Sequence, residues 1–215
     1  MQSLESAQGN GDQDSNTSSL LYKWPRLYNK LCGDHLMPGR IAAMEALPPH
    51  RPLKALEVGV GSGLSLPHYP NGIDLIAIDP MNTMLSEAAN QVRNSLAKVT
   101  LLQMNGEQLS FPDNTFDAAI MLYVLPAVPD ARSLLREVHR VIRPGGSAIV
   151  VNAFHQRNRF LKLLSRAIPK KNMAQLIGFH AELRPEDITE APGWTLAQQR
   201  KIEKSHLFVL EKTRD

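Results

Sequence analysis

A short apolar segment that ends in three alternating glycines constrains this chain more than any other feature. The segment runs from Ala55 to Leu64 and has glycines at positions 59, 61 and 63. Glycine has no Cβ and adopts left-handed backbone angles at little cost, so a ligand can lie directly against such a loop. An apolar run bounded by glycines is typical of a buried strand followed by a turn. The sequence therefore predicts a ligand site at the end of a strand, and a turn that holds no ligand is the alternative.

The spacing of these glycines separates the loop from two common phosphate-binding motifs. The dinucleotide fingerprint reads G-x-G-x-x-G, and its third glycine would fall at position 64, which is Leu. The P-loop requires a Lys directly after its last glycine, and no Lys follows Gly63. The pattern therefore disfavours a nicotinamide-dependent dehydrogenase.

An acidic residue, Asp79, closes the next apolar run and lies 20 residues after Gly59. That interval is the length of one strand–helix–strand unit, and an acid at the end of the second strand can accept hydrogen bonds from both hydroxyls of a ribose. As an isolated residue, the Asp could equally cap a helix that begins at Pro80. Beside the glycine loop, it favours a ligand that contains ribose.

Length and composition exclude several classes of protein. A chain of 215 residues can form one domain with a full core, and it has no apolar run near the roughly 18 residues that span a membrane. The N-terminus does not resemble a secretory signal. The single cysteine, Cys32, allows no internal disulfide and no cysteine-based metal site, which favours a reducing cytoplasm and no metal.

The N-terminal part divides into a polar tail and two helices. Residues 1–19 are too polar to bury a core and are predicted to be disordered. Apolar residues then recur at helical spacing between positions 20 and 31, and a second helix is predicted from Pro38 to Leu47. The first helix, aromatic and basic, could form a lid over a pocket, lie on a membrane, or pack on the domain.

Apolar runs alternate with helical segments over the rest of the chain, which predicts a parallel sheet with helices on both faces. The predicted strands are residues 54–59, 74–79, 99–104, 118–122, 148–151, 195–201 and 205–211. Helices are predicted near 80–96 and 131–142, and the RPGG sequence at 143–146 predicts a turn that starts the fifth strand. The ligand should lie at the carboxyl ends of the strands, beside the first strand, where the strand order reverses.

A basic segment between residues 156 and 171 carries six Lys or Arg residues and no acid. Apolar residues share one helical face of this segment, so it suits an anionic membrane surface, where each base contributes on the order of 1 kcal/mol. No interleaving of aromatic and basic residues suits the stacking of nucleic-acid bases. A solvated helix face is the alternative.

Between residue 54 and about residue 152, the chain resembles the class I S-adenosylmethionine-dependent methyltransferases. Four blocks appear in order: the glycine loop, Asp79, the segment 105–117 (NGEQLSFPDNTFD) and the RPGG turn. The resemblance implies a Rossmann-like α/β fold with a seven-stranded, mostly parallel sheet, an N-terminal helical lid and S-adenosylmethionine as cofactor.

The same resemblance implies a division of the chain and a set of cofactor contacts. The implied methyltransferase domain covers residues 20–215, with N-terminal helices at 20–50, a cofactor-binding core at 54–152 and a substrate- or membrane-facing part at 153–215. Asn105 stands where the family has an Asp that contacts the adenine amino group, and its side-chain carbonyl can accept that bond. The implied cofactor contacts are Glu57, Gly59, Gly61, Gly63, Asp79, Pro80, Met84, Asn105, Gly106, Glu107 and Leu122.

Finer features resemble the soluble bacterial phosphatidylethanolamine N-methyltransferases. They are the LSLPHYP extension at 64–70, the YVL sequence at 123–125, the RPGGSAIVVNAF block at 143–154, and Tyr28 with Gly39-Arg40 upstream. Two residues depart from the pattern, because Asn29 replaces an Asp and Ala153 replaces a His. His155 either replaces that His or is an ordinary surface residue.

The resemblance implies methyl transfer to the amine of phosphatidylethanolamine and its partly methylated products, toward phosphatidylcholine. Such a reaction needs a neutral amine placed about 3 Å from the methyl group, and little acid–base machinery. Tyr28, Tyr123 and His155 are predicted near the amine, as orienting groups or a weak base. For each tyrosine, packing with a satisfied hydroxyl is the alternative.

The implied partners are a phospholipid substrate and an anionic membrane surface, and not nucleic acid. Substrate and membrane contacts are predicted at Tyr22, Trp24, Arg40, Arg157, Arg159 and Lys162. We expect a cytoplasmic protein bound peripherally to the inner face of the membrane. The alternatives are a methyltransferase for a small soluble or quinone-like acceptor, and a non-catalytic module that binds a lipid or nucleoside.

Overall fold

Seven strands form a single mixed sheet in the computed structural model of the protein, which describes residues 33–153 and 184–213. The strands are β1 Leu53–Val58, β2 Ile73–Asp79, β3 Lys98–Gln103, β4 Phe116–Leu122, β5 Ile142–Asn152, β6 Trp194–Ile202 and β7 Ser205–Lys212. Their order is β3-β2-β1-β4-β5-β7-β6. β1 to β5 are parallel, and β7 is antiparallel to both β5 and β6. The expected seven-stranded, mostly parallel sheet is confirmed.

Four α-helices accompany the sheet in the described residues: α1 Met37–Glu45, α2 Asn82–Val92, α3 Ala131–Val141 and α4 Pro185–Thr189. Short 3₁₀ helices cover Asp34–Leu36, Leu66–His68 and Leu125–Ala127. α2 begins two residues later than predicted because Met81, in extended conformation, is its N-cap. The predicted tail 1–19, the helix at 20–31 and the basic segment 156–171 lie outside the described residues.

The two faces of the sheet carry separate hydrophobic cores. Neighbouring residues of β1, Ala55 and Leu56, are both fully buried but belong to opposite cores. α1 and α2 pack on the Ala55 face, and α3 and α4 pack on the Leu56 face. A strand covered on both faces has apolar residues at consecutive positions, and the consecutive Ala55 and Leu56 made β1 visible in the sequence.

The RPGG sequence lies within β5 rather than before it, contrary to the predicted turn at the start of that strand. Pairing with β4 jumps from Phe116–Ile142 to Ala118–Ser147, so residues 143–146 bulge out of the ladder. A Cβ on Gly146 would lie 2.7 Å from the carbonyl oxygen of Asp117, which requires glycine there. The sequence correctly indicated a backbone irregularity, and its position inside the strand depends on the partner strand.

Asp117 ties this bulge to the centre of the sheet at the amino ends of the strands. Its Oδ2 accepts a 2.7 Å hydrogen bond from the Lys54 backbone N–H, and its Oδ1 lies 2.6 Å from the Arg143 guanidinium. In an open parallel sheet, ligands bind at the opposite edge, outside the carboxyl ends of the strands. There the carboxyl ends of β1, β2 and β4 meet, and β1 has β2 on one side and β4 on the other.

Replacing Asp117 with Ala is expected to lower the free energy of unfolding by about 1–3 kcal/mol, because a buried N–H and a guanidinium lose their acceptor. Urea denaturation measures this change. The control is Asp74→Ala, which removes an exposed pair with Lys98 and should cost under about 0.5 kcal/mol. Equal effects of the two substitutions would show that the contacts of Asp117 contribute no more than a surface pair.

Candidate active site

The glycine loop after β1 has three left-handed residues with different surroundings. The φ angles of Gly59, Gly61 and Gly63 are +74°, +55° and +80°. A Cβ on Gly59 would collide with Val124, and one on Gly63 would lie 2.9 Å from the Cα of Ala88 in α2. A Cβ on Gly61 would meet no atom within 4 Å. Gly59 and Gly63 are therefore required by packing, whereas Gly61 borders open space in which a ligand can lie.

Glu57 anchors this loop from within β1. The residue is 1% exposed, and its carboxylate accepts hydrogen bonds from Ser65 Oγ at 2.7 Å and Tyr69 Oη at 3.0 Å. Burial raises the pKa of Glu57 to about 7, although both hydrogen bonds and the charge of Arg40 lower it. The structure thus places both oxygens of Glu57 against the loop itself.

Asp79 joins the loop after β1 to the loop after β2. Its Oδ2 accepts the Gly61 N–H and its Oδ1 accepts the Met81 N–H, both at 2.9 Å. The residue lies outside α2, so the helix-cap alternative does not describe it. Burial raises the pKa of Asp79 to about 6. Each carboxylate oxygen accepts one bond here and has capacity for another, which fits the two hydroxyls of a ribose.

The remaining predicted cofactor residues near β2 differ in exposure. Pro80 is exposed, and its carbonyl accepts a 3.0 Å hydrogen bond from Gln103 Nε2. Met84 lies in the first turn of α2 and is 2% exposed. Leu122, the last residue of β4, is also buried.

The loop after β3 brings Asn105, Gly106 and Glu107 to the same edge. Asn105 is exposed, and its Oδ1 accepts the Glu107 N–H at 3.0 Å. A Cβ on Gly106 would lie 2.6 Å from a methyl group of Val58, so the loop packs closely on β1. The Glu107 carboxylate accepts the Asp130 N–H at 2.6 Å and fastens this loop to the start of α3. The Asn105 carbonyl retains one lone pair for a further donor.

Tyr123 follows β4 directly and has a left-handed φ of +60°, which is rare for a bulky residue. Its hydroxyl donates to the Leu36 carbonyl at 3.0 Å and lies 3.1 Å from Ser205 Oγ. A Cβ on Gly39 would collide with this hydroxyl, so α1 approaches closely. Burial raises the pKa of Tyr123. The geometry favours the packed alternative, in which the hydroxyl is already satisfied.

Arg40 lies in the interior beside Tyr123. The residue is 5% exposed, its Nη1 donates to the Gly33 carbonyl at 3.1 Å, and its guanidinium is centred 5.6 Å from the Tyr123 ring. Its charge therefore faces the protein interior and not an outer surface. The other predicted catalytic, substrate or membrane residues lie outside the described residues: Tyr22, Trp24, Tyr28, His155, Arg157, Arg159 and Lys162.

Sequence reasoning missed Asn152, the last residue of β5. Asn152 is 1% exposed, and neither its Oδ1 nor its Nδ2 has a hydrogen-bond partner. It stands at the same carboxyl edge as the glycine loop. The signal in the sequence is an amide that directly follows the apolar run 148–151, where a ligand-facing residue is expected.

Comparisons with known proteins identify the family. Residues 56–150 match the family model of the methyltransferase domain. A phosphatidylethanolamine N-methyltransferase from Cereibacter sphaeroides is 32% identical over 158 residues, which cover 73% of this chain and 77% of that protein. The chain belongs to the S-adenosylmethionine-dependent methyltransferases. The predicted family is therefore confirmed.

This methyltransferase is also similar to a second relative in sequence and to a solved structure in fold. A ubiquinone/menaquinone biosynthesis C-methyltransferase from Pasteurella multocida is 38% identical over 84 residues, which cover 38% of this chain and 31% of that protein. A solved S-adenosylmethionine-dependent methyltransferase from Aquifex aeolicus is 18% identical with a TM-score of 0.66, covering 88% of this chain and 98% of that one. At 18% identity, this structural likeness shows a shared fold alone.

S-adenosylmethionine is the cofactor of this methyltransferase, as the sequence predicted. The residues at the carboxyl edge fit it, because Gly61 borders open space and Asp79 retains acceptor capacity for ribose hydroxyls. Asn105 would face the adenine amino group. When bound, the cofactor supplies a methyl group activated by a positively charged sulfur. The assignments of individual residues remain predictions.

The described residues contain neither a membrane-spanning helix nor a cluster suited to a metal ion. None of the helices in 33–153 and 184–213 is both long and apolar enough to span a bilayer. The side chains of those same ranges bring together no group of three His, Cys, Asp or Glu residues suited to a metal ion.

Replacing Gly61 with Val is expected to abolish cofactor binding in a folded protein, because the side chain would fill the open space beside the loop. The left-handed φ of +55° also imposes strain on a β-branched residue, on the order of 1–3 kcal/mol. Isothermal titration calorimetry measures binding, and circular dichroism confirms folding.

The matched control is Gly72→Val. Gly72 also has a left-handed φ, of +82°, but it precedes β2 at the opposite edge of the sheet. The control should lose similar stability and retain cofactor affinity. If the Gly61 variant also retains affinity, the loop is only a turn.

Cofactor affinity is expected to weaken about tenfold between pH 7.5 and pH 5, because only ionised Asp79 can accept both ribose hydrogen bonds. The pKa of Asp79 rises from 3.8 to about 6 through burial, so most molecules carry a neutral Asp79 at pH 5. Asp79→Asn should bind weakly at both pH values, with no slope. Glu57→Gln should retain the slope, and a flat wild-type profile would remove Asp79 from the site.

Proposed function

We propose that this methyltransferase methylates the amine of phosphatidylethanolamine, and of its mono- and dimethylated products, at a membrane surface. The extent of the match to the Cereibacter sphaeroides protein carries this proposal. More than a third of that 158-residue match lies outside residues 56–150, the part that matches the general methyltransferase domain. A demethylmenaquinone methyltransferase also matches beyond that domain, over 122 residues, but this match covers 54% of this chain and 47% of that protein, against 73% and 77% for the Cereibacter sphaeroides protein. The more complete likeness favours a shared acceptor.

The sheet leaves one side of the carboxyl edge for the acceptor. The predicted cofactor residues follow β1, β2 and β3, so the acceptor amine is assigned to the ends of β4 and β5. An ethanolamine ammonium group must lose a proton before it can be methylated. We assign Tyr28 and His155 to that region, as orienting groups or a weak base. Tyr123 contributes its packed ring, because its hydroxyl is already bonded.

The proposal also includes docking on anionic lipid. The amine of a phospholipid lies at the membrane surface, so the enzyme must reach it there. The segments 20–31 and 156–171 combine apolar and basic residues, and two weak docking segments bind more tightly together than either does alone. We assign this peripheral contact to the cytoplasmic face of the membrane.

The assay that tests the proposal compares three acceptors with labelled S-adenosylmethionine. One is phosphatidylethanolamine in mixed vesicles with an anionic lipid, the second is free phosphoethanolamine, and the third is a demethylated menaquinone in the same vesicles. We expect labelled mono-, di- and trimethylated lipid from the first mixture alone. Efficient labelling of the soluble amine or of the quinone would replace the lipid proposal, and binding without any transfer would indicate a non-catalytic module.

Changing Arg157, Arg159 and Lys162 together to Glu is expected to reduce binding to anionic vesicles, and the loss should resemble the effect of raised salt. Each base near an anionic surface contributes on the order of 1 kcal/mol, so a change of six charge units should weaken binding by at least tenfold. Vesicle co-sedimentation measures the change. Affinity for S-adenosylmethionine should be unchanged.

The matched control makes the same charge change at the opposite edge of the sheet. Lys54 and Lys98 lie near the amino ends of β1 and β3, and Arg93 follows α2. Their replacement with Glu should reduce vesicle binding less than the first triple change. If both triple changes act equally, net charge alone draws the protein to the lipid.

A further inference from the structure

Asn152 is a buried side chain whose hydrogen-bonding groups have no partner. Its residue is 1% exposed, and both side-chain polar atoms are unpaired. An unpaired buried polar group lowers the stability of the folded state, and buried amides in folded proteins are almost always bonded to protein, water or a ligand. The chain therefore keeps a costly group at the end of β5, and a ligand that completes its bonds would explain its presence.

Asn152 lies at the carboxyl edge of the sheet, near the ends of β4 and β5, to which we assign the acceptor. β5 pairs with β4, and the Tyr123 N–H donates to the Val151 carbonyl at 2.7 Å, so the loop after β4 starts beside Asn152. Two strand spacings, about 10 Å, separate the end of β5 from the end of β1 and its glycine loop. A small amine held between these ends would lie within reach of both.

Two other polar side chains that the structure describes on this side are already engaged. The Tyr123 hydroxyl is bonded to Leu36 and Ser205, and Arg40 donates to the Gly33 carbonyl. His206 lies directly opposite Asn152 in the antiparallel pair of β5 and β7. Burial and the charge of Lys201 lower the pKa of His206, so this neighbour is neutral at pH 7 and does not repel a cationic amine.

We propose that Asn152 binds the acceptor nitrogen, with its side-chain carbonyl accepting an N–H hydrogen bond from a primary or secondary amine. This inference rests on the proposed amine methyltransferase activity. It also predicts that the three amine acceptors depend on Asn152 to different degrees. A neutral primary amine has two N–H groups and a neutral monomethyl amine has one, but a neutral dimethyl amine has none. The carbonyl can therefore orient the first two acceptors and not the third.

The test measures kcat/KM for phosphatidylethanolamine and for its monomethyl and dimethyl forms, in wild type and Asn152→Leu. Leu has a similar volume and no polar atom. We expect kcat/KM to fall about tenfold for the first two lipids, the effect of one lost hydrogen bond, and to change less than about twofold for the dimethyl lipid. Asn152→Asp retains an acceptor oxygen and should keep most of the activity on the first two lipids.

The matched control is Ser147→Ala. Ser147 lies in the same strand, and its buried hydroxyl is also unpaired, but it is near the amino end of the sheet. This change should leave all three lipids unaffected. S-adenosylmethionine affinity and thermal unfolding of every variant show whether the site and the fold are intact.

The outcomes separate this inference from the proposed function. If the wild-type enzyme methylates none of the three lipids, the proposed function is wrong. If it methylates them and the Leu variant loses activity equally on all three, or on none, Asn152 does not bind the acceptor nitrogen and the proposed function stands. If the Leu variant fails to fold, loss of the first two activities in Asn152→Asp overturns the inference.

Discussion

The carboxylate of Asp79 fixes the two loops to which we assign the cofactor. One oxygen holds the Gly61 N–H and the other holds the Met81 N–H, so the loop after β1 and the loop after β2 cannot move independently. The left-handed conformation of Gly61 turns its N–H toward this carboxylate while its Cα borders open space. The same group that shapes the loops therefore also has spare acceptor capacity, which would suit the hydroxyls of a ribose.

Placing two acids in the interior lowers the stability of the unliganded protein near neutral pH. Burial raises the pKa of Glu57 to about 7 and that of Asp79 to about 6, so ionising either group works against folding. The Glu57 carboxylate, bonded to Ser65 and Tyr69, keeps the loop in one shape. Two acids with perturbed pKa values at one edge of a sheet are typical of a functional site. Packing in the rest of the core can offset the stability that they cost.

The sequence predicted the parts of the fold that depend on local pattern. β1 and β4 are largely buried on both faces, so each appears as a mainly apolar run, and the glycine loop follows from spacing alone. Contacts between distant residues could not be predicted. The Tyr123 hydroxyl bonds to Leu36 and Ser205, which are 87 and 82 residues away, and no local pattern encodes either partner. The unpaired state of Asn152 likewise depends on surroundings that only the assembled sheet defines.

The described part of the carboxyl edge separates into two regions with different supports. The Asp79 and Glu107 carboxylates accept backbone N–H groups and so join the loops after β1, β2 and β3 and the start of α3. The Tyr123 hydroxyl instead joins the end of β4 to the Leu36 carbonyl, just before α1, and to the Ser205 hydroxyl in β7. A substitution in the second region can therefore reshape the edge near β4 and β5 and leave the Asp79 contacts intact.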